Sequence, residues 1–335
     1  MQSTRVASHL VQHQGVVTVE RIILDVDLAM GAPGSDIDDG FALALALADA
    51  DIQVDLVTTV NGNTDVATAT ALTLELLRRL DRTDIPVHRG AERPLLRPQA
   101  RHGSVPDEVQ VREPQQQPAA AAMVEHVLAH PGEVTLVAVG PLTNVALALR
   151  LHRDFASSLK SLVIMGGVFN AHTHSASMPG EFNIWNDPEA AQIVLEADVP
   201  TRWVGLDVTT QVRFTREEAV ELSGDRRPFA AFAGEYTVAW IDHLTQQRTG
   251  DGGSCAMHDP LAVAAVTHPE LLSWKSAYVQ VETSDRSRGA MITDYLVGDW
   301  APEGVRKQRQ ANAEIAVGVD VDGFHDHLVD HLKQL

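Results

Sequence analysis

Short apolar runs alternate with longer Ala, Leu and Glu-rich stretches along the chain, and this alternation limits the fold class before any single residue is considered. The runs are "RIILDVD" (21–27), "VDLVTTVNG" (54–62), "EVTLVAVG" (133–140), "SLVIMGG" (161–167) and "TRWVGLDVT" (201–209). Near-continuous apolar runs suit strands buried on both faces. Between them "DVATATALTLELLRRL", "AAAAMVEHVLAH", "LTNVALALRL" and "PEAAQIVLEAD" have the length and composition of helices. The repeat predicts an α/β fold, a mostly parallel open sheet flanked by helices. The late segments "SAYVQVETS", "MITDYLVG" and "ANAEIAVGVDV", followed by "FHDHLVDHLKQL", predict a small C-terminal β appendage and a closing helix. At 335 residues the chain is long for one core, but α/β folds carry such lengths. The expected organisation is an N-terminal extension at 1–20 and one domain at 21–335.

Parallel sheets bind ligands at the carboxyl ends of their strands, and there this sequence changes character each time. "LDVD" ends in acids, "TTVNGN" in asparagines, "VAVGPLTN" in a Gly-Pro turn and "IMGG" in glycines. The first of these ends is the most demanding, because "LDVDLAMGAPGSDIDDG" collects Asp25, Asp27, Asp36, Asp38 and Asp39. Ser35 followed by Asp38 fits a capping box, which would assign part of the acidity to the next helix. Capping leaves Asp25 and Asp27 unexplained: two apart on a strand, they point the same way. Carboxylates gathered there repel one another unless a cation lies among them. With oxygen donors and no thiolate or His pair at hand, the expected ion is Ca²⁺ or Mg²⁺.

A net charge of −19 argues against nucleic acid and against an anionic membrane surface. The single cysteine, Cys255, excludes an internal disulfide and suits a reducing compartment. No apolar stretch approaches a membrane span and the opening lacks the pattern of a signal peptide, so the expected location is cytoplasmic.

Three further stretches bear on the acid cluster. "GEFNIWNDPEAA" puts Glu181 and Asn183 on one side of a short segment, "AMHDPLAVAAV" sets His258 beside Asp259 at a helix start, and "TTVNGN" adds Asn63. Together with "DVD…DIDD", "RGAERPL" (89–95), "VGPLTNVALAL" (139–149), "IMGG" and "SRGAMITDY" (287–295), in this order from about residue 21 to 320, they resemble the nucleoside hydrolase family. The resemblance implies a Rossmann-like fold, a homodimer or homotetramer, a small-molecule ribonucleoside as substrate and a bound Ca²⁺. It further implies that Asp27, Asp39 and Asp259 bind the metal through carboxylates and Val139 through its carbonyl. Asp38 and Asn63 would meet the ribose near its 2′ side, Glu181 and Asn183 its 3′ and 5′ hydroxyls, and Met165 its face, with Asp259 also at the substrate. Asp27 would be general base and His258 the proton donor to the leaving base. Asp25 would support the site from behind.

The match is imperfect in three places. Ten residues separate Asp27 from Asp38, so the "LAMGAPGSDI" loop is enlarged. Where the family has an asparagine before "EFN", this chain has Ser175, with Asn170 further upstream. The stretch before "HDP" lacks the tyrosines of pyrimidine-preferring relatives, which leaves His102, Gln246, Gln247 and Arg248 as candidate base contacts. Residues 98–118, rich in Pro and Gln, read as a long mobile loop of the kind that forms lids. Trp185 reads as packing or as a border of the base pocket, and His327 and His331 as a solvated face of the last helix. Two other functions fit part of the pattern. A Mg²⁺-dependent phosphohydrolase with an Asp nucleophile would need a Thr or Ser soon after Asp27 and a Lys, whereas Leu28 and Ala29 follow. A non-catalytic ribose-binding protein would have no need of Asp27 and His258, and both are present.

Overall fold

The computed structural model describes residues 19–32, 34–97, 102–170, 177–247, 253–296 and 310–335. Its centre is β1 (Glu20–Val26), which pairs in parallel with β2 (Ile52–Thr59) on one side and β4 (Val134–Ala138) on the other. Beyond β2 lies β3 (Val87–Arg89); beyond β4 follow β5 (Ser161–Met165), β6 (Thr201–Val204) and, last in sequence, β11 (Ala313–Val319), all parallel. Strand order thus reverses at β1, and the carboxyl ends of β1 and β4 flank the crevice that such a reversal opens.

The apolar runs form strands because both faces of the sheet are covered. Ile22, Leu24 and Val26 of β1 face one buried layer and Ile23 the other. The first layer includes the helices Asp38–Ala48 and His258–Thr267, the second the helices Ala119–Ala129 and Thr143–Leu151. Alternate residues of one strand therefore anchor opposite layers.

The C-terminal strands are built onto this sheet. β9 (Leu272–Val281) pairs antiparallel with β11, and β10 (Met291–Asp294) closes the edge on β9. β3 was too short to register as an apolar run. A separate antiparallel pair, β7 (Arg213–Thr215) with β8 (Ser254–Ala256), stands apart from the main sheet. The run at 201–209 is only half strand. After Val204 the Leu206 amide bonds to Gly167 O at 2.9 Å and the chain turns into the short helix Leu206–Thr209.

No capping box forms at Ser35. The N-cap of the helix Asp38–Ala48 is Ile37, with no side-chain cap, and Asp36 Oδ1 accepts from the Ile37 amide, at 2.8 Å. The enlarged loop runs inward first: Leu28, Ala29 and Met30 are fully buried. Gly31 then adopts a positive φ of 111°, where a Cβ would press on Leu72 and Phe232 at 3.0 Å. The described part of the expected lid, 102–118, is tied to the body of the domain. The Gly103 amide bonds to Asp65 Oδ2 at 2.7 Å, the Gln115 amide to Val87 O at 2.8 Å, and Val109 is buried. His327 and His331 do not form a solvated face: in the closing helix Val321–Leu332 the ring of His327 lies 4.5 Å from that of His268 and 4.3 Å from that of His331. Among the described residues no helix is long and apolar enough to cross a membrane.

A polar tie joins sheet to helix near the start of β1. Asp55 of β2 receives Arg21 Nε at 2.9 Å and pairs with His126 Nε2 at 2.7 Å. Burial alone would raise its carboxyl, but the bonds from His126, Arg21 and Gln53 outweigh burial and hold it at about 2. A carboxyl depressed on folding contributes stability that is present above its unfolded value and lost as pH falls toward the folded one. Asp55→Asn should cost about 1 kcal/mol at neutral pH, discounted because Arg21 is partly open to solvent. Urea melts should also show its acid limb flattened between about pH 4 and pH 2.

Candidate active site

β1 delivers two aspartates to different tasks. Asp25 is fully buried and accepts from Thr58 Oγ1 at 2.6 Å and Asn144 Nδ2 at 2.8 Å. Burial pushes its carboxyl up to about 7, while those two bonds oppose the shift. Asn144 also donates to Thr59 O and accepts from the Ala91 amide, so Asp25 sits in a network that braces the ends of β1 and β2. Asp27 lies one residue beyond the strand. Its Oδ2 accepts from the Asn63 amide at 2.6 Å, its own amide donates to Asp39 Oδ1 at 3.1 Å, and its Oδ1 is buried without a partner among the described residues. The carboxylate fits only because glycines surround it: a Cβ on Gly62 would stand 1.9 Å from Oδ2, and one on Gly140 2.8 Å from Oδ1.

Two helix N-termini supply the other acids. Asp38 and Asp39 open the helix Asp38–Ala48, and Asp259 lies in the first turn of the helix His258–Thr267. These ends carry partial positive charge and favour carboxylates. Asp38 Oδ2 accepts from the Asp259 amide at 3.2 Å, and Asn63 Nδ2 donates to Asp39 Oδ2 at 3.2 Å. One oxygen from each of Asp38, Asp39 and Asp259 lies within 4.8 Å of the others, and all three residues are buried. Burial, reinforced by the charges of the neighbouring aspartates, drives Asp39 and Asp259 well above the ordinary carboxylate range. A buried donor set of oxygens alone, with an unpartnered oxygen on Asp27, suits a hard divalent cation.

The opposite wall comes from β4, β5 and a short helix. Glu181 caps the helix Phe182–Asn186, accepting from the amides of Asn183, Ile184 and Gly167 at 2.8, 3.1 and 3.1 Å. Burial still raises its carboxyl. Asn183 Nδ2 donates to Val139 O at 2.7 Å and touches Met165 Sδ at 3.7 Å. A cavity of about 620 Å³ lies between the walls, lined by Asp38, Asn63, Val139, Met165, Glu181, Asn183, His258 and Asp259. Asp27 and Asp39 lie behind this lining, bonded to each other and to Asn63. The ten residues that the resemblance assigns to metal, ribose and proton transfer thus meet at one place. His258 Nδ1 pairs with Thr209 Oγ1 at 2.7 Å, which turns the imidazole's other nitrogen away from Thr209.

Several residues at the cavity were not anticipated. The enlarged loop returns to it with Ser35, next to Asp36 of the expected acid cluster, Arg213 of β7 enters from the two-stranded pair, and Trp240 and Leu244 enter from the helix Pro228–Gln247. Thr209, which pairs with His258 without lining the cavity itself, was hidden because its stretch reads as strand. The "PFAAFAGEYTVAW" run gave no sign that Trp240 would line the cavity. Of the candidate base contacts, Gln246 and His102 are exposed and do not line the cavity; the Gln247 side chain and Arg248 lie outside the described residues, as does Ser175. Asn170 is exposed, with its amide on Asp207 Oδ1 at 2.7 Å. Trp185 packs against Gly289 instead of bordering the cavity. No lysine lines the cavity among the described residues, as a phosphohydrolase would require.

The profile of the family "Inosine-uridine preferring nucleoside hydrolase" matches residues 22–326. The chain belongs to this family. As a nucleoside hydrolase it is 34% identical over 300 residues to the "Probable uridine nucleosidase 2" of Oryza sativa subsp. japonica, covering 86% of each chain. It is 35% identical over 272 residues to the "Pyrimidine-specific ribonucleoside hydrolase RihA" of Escherichia coli O8 (strain IAI1), covering 78% of this chain and 83% of that one. Among solved structures, the "Plant nucleoside hydrolase - PpNRh1 enzyme" superposes with a TM-score of 0.82 at 25% identity, over 94% of this chain and 99% of the other.

The glycines around Asp27 provide a test of the site's geometry. Gly62→Ala should leave the fold intact and displace the Asp27 carboxylate. A turnover loss on the order of 100-fold is expected, because misplacement by about an ångström suffices for it. Steady-state kinetics alongside circular dichroism checks this.

Proposed function

We propose that this nucleoside hydrolase cleaves the N-glycosidic bond of ribonucleosides to ribose and free base, using Ca²⁺ held by Asp27, Asp39, Asp259 and the Val139 carbonyl. One observation carries the reading: Asp38, Asp39 and Asp259 converge, buried, and Asp27, bonded through its amide to Asp39, keeps an oxygen that has no partner among the described residues. That Val139 O already accepts from Asn183 is compatible, since a carbonyl has two lone pairs. When bound, Ca²⁺ supplies a Lewis acid for the ribose hydroxyls and a water of lowered pKa.

The chain's own residues account for the remaining steps. Breaking the bond builds positive charge on C1′ and the ring oxygen, and the carboxylates of Asp38 and Glu181 favour that state over the ground state. Asn63 and Asn183 orient ribose hydroxyls while Met165 packs against the sugar. Asp27 takes a proton from the water whose oxygen bonds to C1′, and the electron pair of the broken bond passes to the base nitrogen. His258, held through Nδ1 by Thr209, donates a proton to the departing base. Arg213 and Trp240, at the part of the cavity beside His258, are available to meet the base. The buried, unpaired Cys255 suits a cytoplasmic setting.

Chromatography of base release from uridine, cytidine, inosine, adenosine and guanosine, with calcium and after chelation, tests the reading. Uridine comes first because both curated relatives are named for uridine or pyrimidine substrates. Release that persists unchanged after chelation would remove the metal from the reaction. Asp27→Ala should lower kcat by at least about 10³-fold, losing both a metal ligand and the base. His258→Ala should slow uridine cleavage by roughly 10²–10⁴-fold but p-nitrophenyl riboside, whose leaving group needs no proton, far less. Equal losses on both substrates would assign His258 a role other than proton donor.

A further inference from the structure

The two helices that begin at the acid cluster end at a second one. The helix Asp38–Ala48 is capped at its C-terminus by Asp49 and the helix His258–Thr267 by His268, and His327 of the closing helix packs onto both. One donor atom from each of Asp49, His268 and His327 lies within 4.8 Å of the others. With a helix rise of about 1.5 Å per residue, this cluster is roughly 15 Å from the catalytic acids, at the opposite end of the same helices.

Each donor is oriented by something behind it. Asp49 is buried; its Oδ2 accepts from Thr267 Oγ1 and its Oδ1 from the Asp51 amide, both at 2.8 Å. His268 Nδ1 pairs with Glu270 Oε1 at 3.0 Å, the arrangement in which a carboxylate fixes the tautomer and leaves Nε2 free for a metal. His331 Nδ1 donates to His327 O at 2.7 Å, freeing its own Nε2 beside the His327 ring. His327 Nε2 is buried and has no partner among the described residues. A nitrogen stranded in this way is costly unless something occupies its lone pair.

We propose that Asp49, His268 and His327 form a binding site for a zinc-class transition metal ion, with His331 at hand as a fourth ligand, that clamps the closing helix onto the two helices of the active site. Imidazole nitrogens select such ions over Ca²⁺ and Mg²⁺, so the site is chemically distinct from the all-oxygen cluster at the other end. Two helix C-termini, with their partial negative charge, point at it and favour a cation. Tetrahedral bonds of about 2.0–2.1 Å set donors roughly 3.4 Å apart, so side-chain rotations of about an ångström close the cluster.

The test uses the untagged full chain, stripped with a chelator and then supplied with excess Ca²⁺ so that the acid cluster is filled. Zinc chloride is titrated against a chromophoric zinc indicator, and Co²⁺ replaces it for visible spectroscopy. One zinc per chain, a tetrahedral cobalt spectrum and a raised unfolding temperature are expected. Affinity should fall by on the order of 100-fold in His327→Ala and about 10-fold in Glu270→Gln, which removes only the carboxylate behind His268. Should His327→Ala fail to fold, His268→Gln gives the same reading, since that ring is partly exposed. No zinc bound by the wild-type chain would overturn the proposal. So would zinc that survives His327→Ala or disappears in Asp39→Asn, because that ion belongs to the acid cluster.

Discussion

Gathering carboxylates where water cannot reach them opposes folding twice, through lost hydration and through mutual repulsion. Much of this protein's architecture works against that cost. Asp38, Asp39 and Asp259 sit at the positive ends of two helices. Backbone amides of Asn63, Asp259 and Gly167 donate to Asp27, Asp38 and Glu181. Gly62 and Gly140 yield the space that the Asp27 carboxylate fills. These devices reduce the repulsion without removing it, and the remaining negative charge is what the proposed cation, and a sugar that becomes cationic as its bond breaks, would offset.

The sheet is what lets one small region satisfy so many demands. β1 is buried on both faces and flanked on both edges, so its carboxyl end is the most rigid point available. The reversal of strand order there exposes that end to a cavity. Asp25, one step inside, is locked by Thr58 and Asn144 from neighbouring elements, so the position of Asp27 is transmitted from the core. The rest of the cavity wall is less regular: a short capped helix, a two-stranded pair and the enlarged loop that returns Asp36 to the cavity. Strand ends and helix starts hold the buried acids, and irregular segments shape the rest of the cavity.

The same two helices that serve the acids also join both ends of the molecule. Their N-termini present carboxylates to the catalytic cavity and their C-termini present Asp49 and His268 to the closing helix. A helix has opposite polarity at its ends, which makes one pair suited to hold an acid-rich site at one end and a cation among imidazoles at the other.

The alternation of apolar runs and helices determined the parallel sheet, because a strand buried on both faces must be apolar throughout and must alternate with the helices that cover it. The acids at the end of the first run, and the ordered "EFN" and "HDP" segments, were equally legible, since chemistry confined to strand ends and helix starts is local in sequence. What the sequence could not contain was any relation set by distance in space. The three residues of β3 and the strand-to-helix turn after Val204 depend on neighbours far along the chain. So does the inward path of Leu28 to Met30, which led Ser35 to read as a cap when the helix begins without one. Trp240 and Arg213 reach the cavity, and Thr209 reaches His258 behind it, only because a long helix, a two-stranded pair and a turn converge there. Asp49 lies more than two hundred residues from His268 and His327, and the three carry no shared motif; packing of two helix ends against the closing helix alone brings their donor atoms together.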